Sequence, residues 1–174
     1  IDGYNFTYND WTDTKIFYVT KGFEPYSYNA IADMNELNMG DYYTLYEFIT
    51  YAVENYPADH YALVLWDHGG GWIGCCWDDS SGDDHLEPWE VQTALDTVKS
   101  CYPDFHLDIV GFDACLMASL EMAFELANPV TGCFADYLVA SEEVEPGDGW
   151  PYDLILDLVK NYPDLSPALF ADWI

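Results

Sequence analysis

The sequence predicts an α/β domain built on a mainly parallel sheet, and three observations carry that prediction. First, ALVLW (62–66), LDIVGF (107–112) and DYLVAS (136–141) are short, continuous apolar runs. Runs of that length and composition suit strands covered on both faces. Second, segments with helical spacing alternate with them, and a strand–helix–strand–helix order calls for right-handed crossovers between parallel strands. Third, each run stops abruptly at reactive groups: Asp67-His68-Gly69, Asp113-Ala114-Cys115 and Ser141-Glu142-Glu143. No internal repeat, low-complexity tract or linker divides the chain. Its 174 residues are therefore read as one domain, large enough to bury a core.

Residues 1–15 are polar and aromatic and read as an irregular entry. IFYVT (16–20) is a short strand candidate. The stretch to Asp41, with Gly22, Pro25, Asn29 and Gly40, reads as a long loop. YYTLYEFITYAVENY (42–56) places Leu45, Phe48, Ile49, Ala52 and Val53 at helical spacing, and Pro57 ends it. After ALVLW comes DHGGGW (67–72), then a loop dense in glycine and aspartate through WDDSSGDDH (77–85). A helix follows from Pro88 to Ser100, with proline in its first turn. After LDIVGF a helix is expected over CLMASLEMAFELA (115–127). DLILDLVKNY (153–162) is amphipathic, and a last short helix is expected near 167–174.

The formal net charge is −28, with four lysines and no arginine. Such a field repels nucleic-acid phosphates and anionic membranes, and attracts cationic ligands. The other reading of the acidity is a solubility device. Apolar residues make up 51% of the chain, too many for a disordered segment. No stretch approaches the roughly 18–20 apolar residues of a spanning helix, so membrane insertion is not expected. The N-terminus has neither a basic start nor an apolar run, and the chain reads as a mature form or a fragment. Five cysteines leave at least one without an intrachain partner, and the pairing of the others stays open.

In an open parallel sheet, ligands bind outside the carboxyl ends of the strands. That rule brings His68 and Cys115 to one sheet edge, although they stand 47 positions apart. A thiolate is a strong nucleophile, and a nearby histidine takes its proton. The predicted helix opening at Cys115 would add amide dipoles. Glycines after His68 let the backbone approach a substrate carbonyl. Gly69 N–H and Cys115 N–H are therefore the candidate oxyanion donors.

At these residues the chain resembles the clostripain family of cysteine peptidases, within the larger group that shares the caspase-like fold. The segments that carry the resemblance are ADHYALVLWDHGGGW (58–72), GFDACLMASLEMAFEL (111–126) and DYLVASEEVEPGDGWPYD (136–153), with LNMGDYYTLYEFI (37–49) weaker. The resemblance implies a caspase-like three-layer sandwich and a dyad of His68 and Cys115 with no third orienting residue. It implies cleavage after arginine or lysine, with Asp113 supplying the acid of the specificity pocket. Glu142 and Glu143 are carried over from the strand that follows; they read equally as solvated carboxylates. A guanidinium offers a carboxylate a planar fork of donors, which suits Asp113 to that role. The expected partners are polypeptides with basic residues, and secretion or a cell-surface location is expected by resemblance. Two departures stand out: an earlier strand of the sheet is expected before residue 1, and no lysine lies just after the Cys115 helix where a precursor would be cut.

No cofactor is expected. Calcium is the ion that DDSSGDDH (78–85) would suit, since it favours clustered oxygens, although the loop lacks full EF-hand spacing. A transition-metal site from Asp67, His68, Cys75, Cys76 and His85 matches no standard spacing, and no metal ligands are assigned. Two rivals to the peptidase remain: a catalytically silent caspase-like module that binds basic peptides, and a metal-binding surface protein.

Overall fold

The computed structural model describes residues 11–127 and 132–174, so most of the irregular entry expected at 1–15 lies outside the described residues. In chain order the elements are β1 (Lys15–Ile16), β2 (Ala32–Asp33), α1 (Tyr42–Asn55), β3 (Ala62–Trp66), β4 (Cys75–Asp78), β5 (Asp84–Leu86) and α2 (Pro88–Cys101). They continue with β6 (Leu107–Asp113), α3 (Leu120–Ala127), β7 (Ala135–Val139), α4 (Tyr152–Asn161) and α5 (Pro167–Trp173). The three apolar runs form one parallel sheet in the order β3-β6-β7. Strand β6 is central, which explains why its run is the longest and most apolar.

One face of the sheet holds the main core. Leu63, Leu65, Val110 and Phe112 join Leu45 and Ile49 of α1, Val91, Leu95 and Val98 of α2, and Met122 and Leu126 of α3. Fully burying side chains of this size stabilises the fold by about 1.5–3 kcal/mol each. The helices are placed by local signals. Asp41 caps α1 by accepting from Tyr43 N–H at 2.8 Å. Gly40 lies so close to the backbone of Asp84 and His85 that a side chain there would collide with both. In α2, Pro88 takes the first turn and Glu90 accepts from Glu87 N–H at 3.0 Å.

The other face of β6 carries Ile109, Gly111 and Asp113. Gly111 gives room to the Trp150 ring, which an added Cβ would meet at 2.8 Å. Helix α5 packs along β6 and β7.

Three expectations are corrected. IFYVT (16–20) does not form the expected strand. Only Lys15–Ile16 pairs, and it pairs antiparallel with Ala32–Asp33. Lys15 anchors that pair from a buried position, reaching Asp33 at 2.7 Å and Asp13 at 3.0 Å. The glycine-aspartate loop after His68 contains a hairpin, β4 with β5. Asp78 organises it by accepting from Met39, Ser80 and Ser81 N–H, each at 3.0 Å or less. Those bonds hold its carboxyl below the usual range, against the opposing effect of burial. The third correction concerns Cys115 and belongs to the site.

Candidate active site

The parallel register of β3 and β6 runs from Ala62↔Ile109 to Trp66↔Asp113. His68 and Cys115 each lie two residues beyond that last pair, so the sheet delivers both to the same edge at the same height. The loop after His68 then closes on Cys115. A Cβ on Gly69 would run into the Cys115 carbonyl and stand 2.8 Å from its nitrogen. Gly71, at φ +65°, sits with the Leu116 carbonyl 3.3 Å from where its Cβ would be. Glycine is needed at 69 for close approach and at 71 for both approach and backbone angle.

The loop is held by bonds from Gly70 N–H to Gly74 O at 2.8 Å and from Cys76 N–H to His68 O at 3.1 Å. These flank the Gly69↔Cys75 bridge and leave Gly69 N–H outside the ladder. His68 is exposed and Cys115 half-buried. All five cysteines are free thiols. Cys75 is fully buried, and its bond with Cys76 and its burial push its thiol well above the ordinary range. It is a poor thiolate.

Cys115 does not open a helix. Helix α3 begins at Leu120, and residues 115–119 turn through a bend in which Leu116 adopts φ +65°. That left-handed conformation costs an L-residue about 1–2 kcal/mol. It is held by Leu116 N–H to Glu143 O at 3.0 Å and Ala118 N–H to Ser141 O at 2.9 Å, with Met117 buried between them. CLMAS has helix-prone residues, and the pattern reads through; bonds to the chain leaving β7 win instead. The helix-terminus contribution expected at Cys115 is therefore withdrawn.

That chain, residues 141–152, straps the site. Glu145 N–H points at Cys115 Sγ, 3.3 Å away. Asp113 is 3% exposed. Its Oδ2 accepts from Trp150 N–H at 3.0 Å and from the Tyr152 hydroxyl at 2.9 Å. Its Oδ1 is buried with no partner among the described residues. Burial first, and Asp113 second, raise the Tyr152 hydroxyl well above its ordinary value, so it remains a proton donor.

Beside these groups the indole of Trp66 is 63% exposed. Both Trp66 Nε1 and the Asp113 carboxylate border the space that a side chain on Gly149 would fill. Glu142 and Glu143 are exposed. Glu143 serves the site through its main chain, giving its N–H to Ser141 Oγ at 3.0 Å and its carbonyl to Leu116. Glu145, Gly149, Trp150 and Tyr152 escaped the sequence reading. The turn EPGDG followed by WPY was the available signal.

Two of the remaining candidates have local contacts, although neither ring nitrogen of His85 has a hydrogen-bond partner among the described residues. Asp84 accepts from Asn38 at 2.5 Å, and His85 stacks on Trp77 at 4.6 Å between ring centroids. Among the described residues no three His, Cys, Asp or Glu side chains gather as a metal-binding group. A cavity of about 440 Å³ between β1, α1, β3 and the β4–β5 hairpin is lined by Trp66 and Asp67 but by neither His68 nor Cys115. No helix among the described residues is long and apolar enough to cross a membrane.

Comparison with known proteins bears on the same residues. The clostripain family model matches residues 26–169. Clostripain of Hathewaya histolytica is 39% identical over 139 residues, covering 72% of this chain and 25% of that protein. A secreted C11 cysteine protease from Bacteroides thetaiotaomicron, solved with an irreversible peptide inhibitor, superposes with a TM-score of 0.68 at 30% identity. The match covers 83% of this chain and 39% of that one. An inactive zymogen C11 protease from Parabacteroides distasonis superposes with a TM-score of 0.54 at 31% identity, covering 71% and 33%. The chain thus spans a minority of the length of each. These neighbours bear out the caspase-like α/β architecture expected from the sequence. With the match extending from before α1 into α5, and taking in both strand ends that carry His68 and Cys115, the chain belongs to the clostripain family.

Proposed function

We propose that the chain carries the catalytic core of a cysteine endopeptidase that cleaves after arginine or lysine, with Cys115 as nucleophile and His68 as its base. The observation that supports this best is the shared register: two residues past the Trp66↔Asp113 pair, both groups stand at one edge, and Gly69 lies on the Cys115 backbone. In this reading His68 takes the Cys115 proton as Sγ bonds to the scissile carbonyl carbon. Gly69 N–H and Cys115 N–H hold the oxyanion. His68 returns the proton to the leaving amine as the C–N bond breaks. A water deprotonated by His68 then cleaves the thioester and frees the acid product and the thiol.

Asp113, and with less direct geometry Glu142 and Glu143, would draw in the basic side chain. The partners are thus polypeptides with basic residues, and secretion is proposed on the likeness to a secreted protease. The silent peptide-binding reading has one observation on its side: Glu145 N–H already occupies the Cys115 sulfur.

Fluorogenic peptides ending in arginine, lysine, aspartate or leucine, offered to wild type and Cys115→Ala, decide between the two. Cleavage after the basic residues should fall by on the order of 10³-fold or more in the variant, with the melting temperature unchanged. No turnover by folded wild type would overturn the peptidase reading. Chelating and restoring calcium in the same assay reads whether the acidic loop at 78–85 contributes.

A further inference from the structure

Resting on Asp113 as the specificity carboxylate, we propose that Tyr152 is a positioning residue that sets the balance between lysine and arginine, by closing one of the two carboxylate oxygens. A carboxylate offers about two acceptor sites per oxygen. Both sites of Oδ2 are filled inside the protein, by Trp150 N–H at 3.0 Å and the Tyr152 hydroxyl at 2.9 Å. Oδ1 is buried and has no partner among the described residues.

The Gly149 backbone packs directly against this carboxylate, which only a residue without a side chain allows. A Cβ there would stand 2.7 Å from Oδ2, 3.3 Å from Oδ1 and 3.0 Å from Trp66 Nε1. A cation that reaches the carboxylate finds Oδ1 as the oxygen with no internal partner among the described residues.

That geometry has a consequence for recognition. A guanidinium gains most from a carboxylate when two parallel N–H groups meet two oxygens. With Oδ2 saturated, the fork is denied its second oxygen and binds through Oδ1, as a compact ammonium does. Arginine loses its usual geometric advantage, and lysine becomes a competitive substrate. Because its hydroxyl is held protonated by burial and by Asp113, Tyr152 performs this role across the working pH range. The hydroxyl touches the carboxylate and acts on the substrate only through it.

The test compares kcat/KM on paired arginine and lysine peptides for wild type, Tyr152→Phe, Asp113→Asn and the double variant, in the full-length protein. Freeing one acceptor site on Oδ2 should raise the arginine-to-lysine ratio about tenfold in Tyr152→Phe, one charge-assisted hydrogen bond's worth. In the Asp113→Asn background the same change should leave the ratio where it was.

The rate at which iodoacetamide labels Cys115, measured against Cys115→Ala, should be unaltered by Tyr152→Phe. An unchanged ratio in Tyr152→Phe would overturn the proposal. So would an equal loss on both substrates accompanied by altered Cys115 labelling, which marks a merely structural role. If Asp113→Asn keeps full cleavage after basic residues, the fault lies with Asp113 as specificity carboxylate; if Asp113→Asn is impaired while Tyr152→Phe is silent, the fault lies with Tyr152 alone.

Discussion

The two faces of strand β6 are built from the same seven residues and do different work. On one face Val110 and Phe112 are completely buried among the side chains of α1, α2 and α3. On the other, Gly111 lies under Trp150, and Asp113 is held by the strap with one oxygen unmet. The first face is saturated: each atom has apolar neighbours and nothing is left to bind. The second is as deeply buried but chemically incomplete, and an unmet buried carboxylate oxygen costs free energy unless another group completes it. Burial alone therefore does not distinguish the two faces of β6; hydrogen-bond satisfaction does.

The sharpest way to break this comparison is at Phe112. Phe112→Ala should cost about 3–5 kcal/mol of stability through lost burial and a residual cavity, read by urea titration. The preference among arginine, lysine and leucine peptides should stay the same in the fraction that remains folded. A shift in preference would mean that the two faces are coupled.

Gly149→Ala probes the other face with a smaller change. At φ +68° an alanine is strained by about 1–2 kcal/mol, and its Cβ would crowd Asp113 Oδ2 at 2.7 Å. Turnover of basic peptides should fall by about tenfold, about 1.4 kcal/mol, with neutral peptides no better cleaved. Unchanged turnover with the expected stability loss would remove Gly149 from the pocket.

The smallest effect is on pH dependence. The folded-state value of the Tyr152 hydroxyl is raised, so its contribution is complete below the unfolded value near pH 10 and is lost as pH rises toward the folded value. The stability difference between wild type and Tyr152→Phe should thus be constant from neutral pH to about 10 and narrow above it. A difference that stays constant through the alkaline range would show that the hydroxyl does not owe its shift to the folded site.

The sequence located the three main-sheet strands to within one or two residues; coverage on both faces accounts for the apolar run of β6, whereas β3 and β7 leave Ala62, Trp66, Asp136 and Tyr137 exposed and are less covered than their composition predicts. It located α1, α2 and α4 equally well, since periodicity and proline mark them. It failed at 115–119, where a helical pattern runs on through residues that the strap holds in a bend. It failed at 16–20, where β-prone residues lie beside a two-residue pairing outside the main sheet. It passed over the β4–β5 hairpin, whose organiser is a single carboxylate, Asp78, collecting amides from two separate segments.

Composition and pattern by themselves determined the α/β class, the parallel order of the strands, and the arrival of His68 and Cys115 at one sheet edge, because strand direction and length follow from local physics. The tertiary structure alone decided how Asp113 is presented. Which oxygen is filled, which is open and what covers it depend on Trp150, Tyr152 and Gly149, about 36–39 residues away in sequence, and on their hydrogen bonds across the strand end. Hydrogen-bond satisfaction is a property of three-dimensional neighbours, and no local pattern encodes it.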